Sequence, residues 1–290
     1  MKKLSFQELT HQLHAAGLQR GDIVHVQSDL RAIGPVDAPP RREAILEFYL
    51  RAFREVLGAE GTLTVLTASM ACGRTGSPFL VEETPSEVGV FSEFVRQQPE
   101  TVRSLHPILS VAGCGPRAAE ICGGAHFEGV GWDSPWGRLH RAGAKTMTLG
   151  MGANGGGTTY FHYLETSYGV PYKYVKVMPS PVMQNGREVP GPFTLSVRYH
   201  DFQIKNTPVR LKRQLLERGL ATEVTIGNAQ TWTTDCAAAF DVAMEALRED
   251  RWFLLENPPR FREGEIPSDG PSGPMQLRYD RSAGLVRPAA

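Results

Sequence analysis

With 290 residues, 41% hydrophobic and 21% charged, the chain can bury a sizeable core and approaches the ceiling for a single one, so one large domain and two packed lobes are both open. Thirty-one basic residues balance 31 acidic ones, which excludes a global field that would steer the protein to nucleic acid, a membrane surface or a polycation. Met1 to Ser5 runs into polar sequence without an apolar signal core, and no 18-residue apolar stretch occurs, so the expected compartment is the cytoplasm, with no membrane partner.

Ser5 with Glu8 three residues on predicts a capping box that opens a first helix, ending near Gly17. A turn at Gly21-Asp22 leads to a strand at Ile23–Val26. A second helix is expected from Arg42 to Leu57, closed by Gly58, and a strand at Thr62–Leu66. Ser69 to Ser77, with Gly73 and Gly76, reads as a loop, and Thr84-Pro85-Ser86-Glu87 as a helix start with proline in its first turn. Leu109–Ala112 and Thr146–Leu149 are further strands, the second flowing into the glycine-rich run Gly150–Gly157.

Beyond Pro171 the pattern turns to strand at Tyr172–Val177 and Leu195–Tyr199, with Asn185-Gly186 as a hairpin tip. Helices return at Val209–Arg218 and Cys236–Arg248, around a strand near Val224. The predicted fold class is therefore α/β, a mixed sheet covered by helices on both faces, with a β-rich insertion after the helix that carries His162. Six prolines after Glu256 make residues 258–290 an extended or partly disordered tail rather than a domain.

Four cysteines, Cys72, Cys114, Cys122 and Cys236, lack C-x-x-C spacing and read as buried or idle thiols. The glycine run lacks the Lys-Ser/Thr ending of a P-loop, and no G-x-S-x-G or H-E-x-x-H motif occurs. Chemistry concentrates in three places. The segment Thr158–Glu165 is a short bounded helix, and at i and i+3 its His162 and Glu165 share a face, so Glu165 can orient the imidazole and support the imidazolium formed when His162 takes a proton. On spacing alone such a pair is more often solvated or structural. Arg103-Ser104-Leu105-His106-Pro107 gathers donors in a proline-held turn, where His106 alone reads as a hydrogen-bonded loop histidine. Gln27-Ser28-Asp29-Leu30-Arg31 follows the first strand, where ligand loops of open α/β sheets lie.

In order along the chain, Gly21-Asp22, Gln27-Ser28-Asp29-Leu30, Glu60-Gly61-Thr62-Leu63, Thr84-Pro85-Ser86, Arg103-Ser104-Leu105-His106-Pro107, Ser134-Pro135-Trp136-Gly137-Arg138-Leu139, Leu149-Gly150, His162-Tyr163-Leu164-Glu165, Pro171-Tyr172 and Gly227-Asn228-Ala229 resemble the aminoglycoside 3-N-acetyltransferase family. The resemblance runs from about residue 5 to residue 255, so residues 1–257 are expected to form the catalytic domain. It implies acetyl-CoA as donor and co-substrate, no metal, and a small-molecule amine as partner, with a homodimer left open and no nucleic acid. It further implies His162 as base with Glu165, and Ser28, Leu30, Arg31, Ser104 and His106 along the coenzyme cleft. A polycationic acceptor wants carboxylates, for which Glu82, Glu83 and Asp133 are the candidates, with Glu87 beside them. The chain departs from the family's His-Ser-Ser-Leu at Gln27-Ser28-Asp29-Leu30, and it carries Arg74 where acids would help a polycation. Two other readings are a biosynthetic or nucleotide-linked amino sugar as acceptor, and a metal-dependent hydrolase with His106, His126, His162 and Glu165 as ligands. A third is a non-catalytic acyl-CoA-binding protein.

Overall fold

The computed structural model describes residues 3–151, 158–199 and 204–259, together with the backbone of 277–280 and 285–288. Helix α1 (Phe6–Ala15) opens on the predicted capping box: Ser5 Oγ accepts from the Glu8 amide at 3.2 Å while the Glu8 carboxylate takes the Ser5 amide at 2.9 Å. Strand β1 (Ile23–Ser28) leads into the single turn α2 (Leu30–Ile33), and α3 (Arg42–Leu57) and β2 (Thr62–Leu66) occupy their predicted ranges.

Two expectations change between the second strand and residue 96. Residues 70–75, expected as loop, form α4 (Met70–Thr75), because the Glu87 carboxylate takes the free Ala71 amide at 2.8 Å and Gly76 closes the helix at φ 70°. After β3 (Phe79–Leu80), Thr84–Glu87 is a turn instead of a helix start, and α5 (Val90–Arg96) begins later. The reason is non-local. The Val81 and Thr84 carbonyls are held by the Arg103 guanidinium, and the Ser86 amide donates to Glu93 at 2.7 Å.

Strand β4 (Val102–Arg103) pairs with β5 (Val111–Cys114), which starts two residues later than expected. Helices α6 (Ala118–Cys122) and α7 (Pro135–Arg141) precede β6 (Lys145–Leu149), and α8 (Tyr160–Tyr168) is the helix that carries His162. The β-rich insertion then follows. Strand β7 (Lys173–Val177) pairs antiparallel with β10 (Thr194–Arg198), and between them β8 (Val182–Gln184) and β9 (Arg187–Val189) form a hairpin. Its tip, Asn185-Gly186, has positive φ at both positions, 50° and 71°, as a type I′ turn requires.

Helix α9 (Val209–Glu217) leads to two strands where one was expected, β11 (Ala221–Ile226) and β12 (Ala229–Asp235), turned at Gly227-Asn228, and α10 (Cys236–Glu249) follows. The predicted tail lies mostly outside the described residues; within it β13 (Leu277–Asp280) and β14 (Leu285–Pro288) pair antiparallel.

The central sheet runs β11-β12-β6-β1-β2-β5-β4 and is mixed, with β1 parallel to both β2 and β6 and the outer pairs antiparallel. Period-2 alternation along β1 explains why both faces are covered. Val24 and Val26 enter one core with Leu50 and Phe53 of α3, Leu63 and Met147. On the other face Trp136, Tyr160, Trp232 and Val242 pack with α7, α8 and α10. His25 lies between Val24 and Val26 in the strand, and its ring meets Trp136 edge-on at 4.8 Å. All four cysteines are free and buried, as their spacing implied. Among the described residues no helix is long and apolar enough to cross a membrane.

Candidate active site

The loop after β6 turns at Gly150, whose φ of 70° suits glycine and whose added Cβ would meet the Asp29 carbonyl at 2.5 Å. This close approach keeps the ends of β1 and β6 together, tied further by the Asp29 amide donating to the Leu149 carbonyl at 2.9 Å. The expected glycine-rich approach, Gly152–Gly157, lies outside the described residues. Beyond it, Gln27 at the end of β1 accepts the Thr159 amide through Oε1 at 2.5 Å, one of the free donors that open α8. Tyr160 anchors the same helix by donating to the Cys236 carbonyl at 2.9 Å, and Phe161, Tyr163 and Leu164 are buried. His162 therefore stands on a fixed helix beside the carboxyl ends of parallel strands, where open α/β sheets take ligands.

Spacing placed His162 and Glu165 on one face, and they meet: Nδ1 lies 3.0 Å from Glu165 Oε2. The Glu165 carboxylate is fully buried and makes three more contacts. Tyr172 donates its hydroxyl to Oε1 at 2.9 Å, the Asn206 amide nitrogen donates to Oε1, and the Lys173 ammonium reaches Oε2 at 2.6 Å. Burial alone would raise the Glu165 carboxyl, but Lys173 and His162 hold it down at about 2. Burial lowers His162, Lys173 and Arg198 lower it further, and Glu165 opposes them, for a net shift below the ordinary imidazole value. Burial also lowers Lys173 against the pull of Glu165, and burial with the nearby carboxylate raises Tyr172.

The His162 side chain keeps 36% of its surface exposed and lines a cavity of about 130 Å³ with Thr158, Thr159, Phe161, Asn206, Thr207 and Pro208. That volume holds reacting groups rather than a whole sugar. A carboxylate that orients a partly open imidazole from behind is an acid–base arrangement in which Nδ1 can carry the proton and Nε2 the lone pair.

The other expected site residues divide. Ser28 and Leu30 are half-buried and Arg31 is exposed around α2, whose first turn Asp29 caps by accepting the Arg31 amide at 3.1 Å. Ser104 and His106 are fully buried and committed to the backbone. Ser104 Oγ accepts from the Val111 amide at 2.9 Å; His106 Nδ1 accepts from the Ile108 and Leu109 amides, which leaves Nε2–H to donate to the Thr194 carbonyl at 3.0 Å. Burial drives His106 down to about 3, so it is a neutral structural ring that holds the proline turn and does not face an open cleft. Glu82, Glu83 and Asp133 are exposed and none lines the His162 cavity. Glu82 accepts the Asn185 amide at 3.0 Å, Asp133 sits 3.8 Å from Arg141, and Glu87 is spent on α4. Among the described residues no three His, Cys, Asp or Glu side chains are placed to hold a metal, so His106, His126, His162 and Glu165 do not converge as ligands.

Lys173 and Asn206 are the site residues that the sequence did not point to. Asn206 stands 41 positions from Glu165, and nothing in local spacing marks either side chain.

Comparison with known proteins bears on the family and the fold. The family profile described as aminoglycoside 3-N-acetyltransferase matches residues 23–248. Aminoglycoside N(3)-acetyltransferase III of a Salmonella species is 30% identical over 200 residues, covering 62% of this chain and 67% of the relative. Aminoglycoside N(3)-acetyltransferase IX of Micromonospora chalcea is 25% identical over 268 residues, covering 81% and 90%. Among solved structures, AAC-VIa bound to sisomicin superposes with a TM-score of 0.72 at 23% identity over 86% of this chain and 98% of that one. AAC-IIIb with CoASH gives 0.73 at 21% identity over 86% and 97%. With a mixed sheet of the same fold and a family match over most of its length, the chain belongs to the aminoglycoside 3-N-acetyltransferase family and is an acetyltransferase.

Proposed function

We propose that this protein moves an acetyl group from acetyl-CoA to a primary amine of an aminoglycoside, at the 3-N position, by direct transfer in a ternary complex with His162 as general base. The observation that carries the reading is the 3.0 Å contact of His162 Nδ1 with buried Glu165, on a ring that lines a cavity. A sugar amine attacks a thioester only when neutral, and most are ammonium ions at neutral pH. A base working near ambient pH is part of the task and contributes on the order of 10²–10⁴ in rate. The amine nitrogen attacks the thioester carbonyl and the C–N bond forms; its proton passes to His162 Nε2 as Glu165 steadies the imidazolium. The C–S bond then breaks and the proton leaves with the thiolate as CoASH. Thr159 and Thr207, which line the cavity, are nearer candidates than buried Ser104 for donors to the tetrahedral oxyanion. Ser28, Leu30 and Arg31 are the coenzyme-side contacts in this reading.

A second acceptor, an amino sugar of biosynthesis or one linked to a nucleotide, is favoured by one observation. The charges that act on His162 are one carboxylate, Glu165, and two cations, Lys173 and Arg198, and the expected acids lie elsewhere. A polycation would find little to hold it there among the described residues.

The deciding experiment is CoASH release from acetyl-CoA with a panel of aminoglycosides and nucleotide amino sugars, alongside His162→Ala. Release stimulated by one acceptor class and reduced at least 100-fold in the variant supports the proposal. Turnover within a few-fold of wild type in His162→Ala overturns the base assignment, and no coenzyme binding overturns the donor.

A further inference from the structure

We infer that Lys173 is a positioning residue of the reaction, whose buried ammonium shares the Glu165 carboxylate with His162 and keeps the resting ring neutral. This rests on the reading of His162 as base. The geometry is a triangle. Lys173 Nζ lies 2.6 Å from Glu165 Oε2 and 3.2 Å from His162 Nδ1, and Nδ1 lies 3.0 Å from that same Oε2. The Lys173 side chain is 4% exposed and Glu165 fully buried, so neither charge is relieved by solvent.

A carboxylate alone against an imidazole favours the imidazolium, and a ring already protonated cannot take the acceptor's proton. The ammonium opposes that. With Nδ1–H on Oε2, the ammonium stands 3.2 Å from that nitrogen and shares the same oxygen, so a proton added to Nε2 would place a second cation beside the first. A lysine that shares the carboxylate oxygen thus lets Glu165 orient His162 without trapping it as a cation. The other groups that face this cluster act in the same sense or are neutral. Arg198 of β10, directly across the ribbon from Lys173, adds positive charge. Tyr172 and Asn206 hydrogen-bond Oε1, and Thr158, Thr159 and Thr207 line the cavity.

A purely structural lysine would only balance the Glu165 charge, and the two roles separate by pH. In Lys173→Met the acid limb of kcat/KM should move to higher pH. Activity at pH 6 should fall on the order of tenfold against wild type, while activity at pH 8.5 stays within about threefold. Lys173→Arg, which keeps the charge, should restore the wild-type limb. The imidazole of His162, assigned in the NMR spectrum by its loss in His162→Ala, should titrate below the ordinary value of about 6.5 in wild type and higher in Lys173→Met. Equal loss of activity at every pH, with no movement of the titration, overturns the inference. If Lys173→Met does not fold, the wild-type titration decides alone, and a midpoint at or above the ordinary value overturns it. The NMR measurement needs no substrate, so absence of CoASH release with every acceptor would reject the acetyl-transfer reading and leave the role of Lys173 separately decided.

Discussion

Tyr172 donates its hydroxyl to Glu165 Oε1 at 2.9 Å, and the next residue, Lys173, takes Oε2 at 2.6 Å, so consecutive residues grip both oxygens of one buried carboxylate. The short connection from Gly169 to β7 is what delivers them. Tyr172→Phe removes one donor and leaves Asn206 on Oε1. The expected cost is about 1–2 kcal/mol of stability, together with a several-fold loss of kcat as Glu165 gains freedom. Urea denaturation and steady-state kinetics check this; unchanged kcat with lowered stability would make the hydroxyl a purely structural contact.

The Glu165 carboxyl is depressed in the folded protein, to about 2 from an ordinary 4.5. A depressed acid contributes stability that is present above its unfolded pKa and is lost as pH falls through the folded one. Lys173 works the other way, since burial lowers its pKa and its charged form is disfavoured on folding, so the pair contributes less than Glu165 alone implies. In Glu165→Gln the ammonium is buried without a counter-charge, at a cost of roughly 3–5 kcal/mol near neutral pH. The gap between wild type and variant should narrow as pH falls from 4.5 toward 2, because the wild-type carboxyl then protonates as well. Denaturation curves across that range test it, and a gap that stays constant would mean that Glu165 is not ionised in the fold.

Gln27 stands where the family pattern has histidine, and its Oε1 accepts the Thr159 amide at 2.5 Å. This bond ties the end of β1 to the start of α8. Gln27→Ala leaves a helix-opening amide without its partner, at about 1–3 kcal/mol. A small displacement of His162 should then reduce kcat by roughly tenfold while coenzyme binding holds. Gln27→His, which restores a ring acceptor, should recover most of the rate. Wild-type kcat in the alanine variant would show that α8 is placed by Tyr160 and its buried face alone.

Local rules carried far where one short segment holds all the information. Arg42–Leu57 ends at Gly58 and Thr62–Leu66 is all β-branched and leucine, so both elements were legible to the residue, as were the Ser5–Glu8 box and the Asn185-Gly186 tip. The misses share a distant partner. Residues 70–75 are helical despite Gly73 because Glu87 caps them, and Thr84–Glu87 is a turn because Arg103 and Glu93 hold its backbone. The site divides the same way. His162 and Glu165 are three apart on one helix, whereas Lys173 and Asn206 reach the carboxylate across chain turns that no periodicity encodes. Charge alone does not mark an acceptor site, since the structure spends Glu82 and Glu87 on backbone amides.

Arg103, next to Ser104 in the proline-held turn, braces that corner of the fold. It is 7% exposed, its Cζ lies 4.7 Å above the Phe79 ring, and it donates to the carbonyls of Thr67, Val81 and Thr84 and to the hydroxyls of Ser69 and Ser110. A planar fork of five donors fits that set and a lysine ammonium, with three, does not. Arg103→Lys should leave at least two buried acceptors unpaired and cost about 2–4 kcal/mol, lowering Tm by roughly 5–15 °C in a domain of this size. None of these contacts touches His162 or Glu165, so kcat of the folded variant at low temperature should stay within a few-fold of wild type. Thermal denaturation with kinetics at 15–20 °C reads the two effects separately. A variant that keeps its Tm but loses coenzyme affinity would instead place the guanidinium in the cleft, and the corner would owe its shape to His106 and the proline turn.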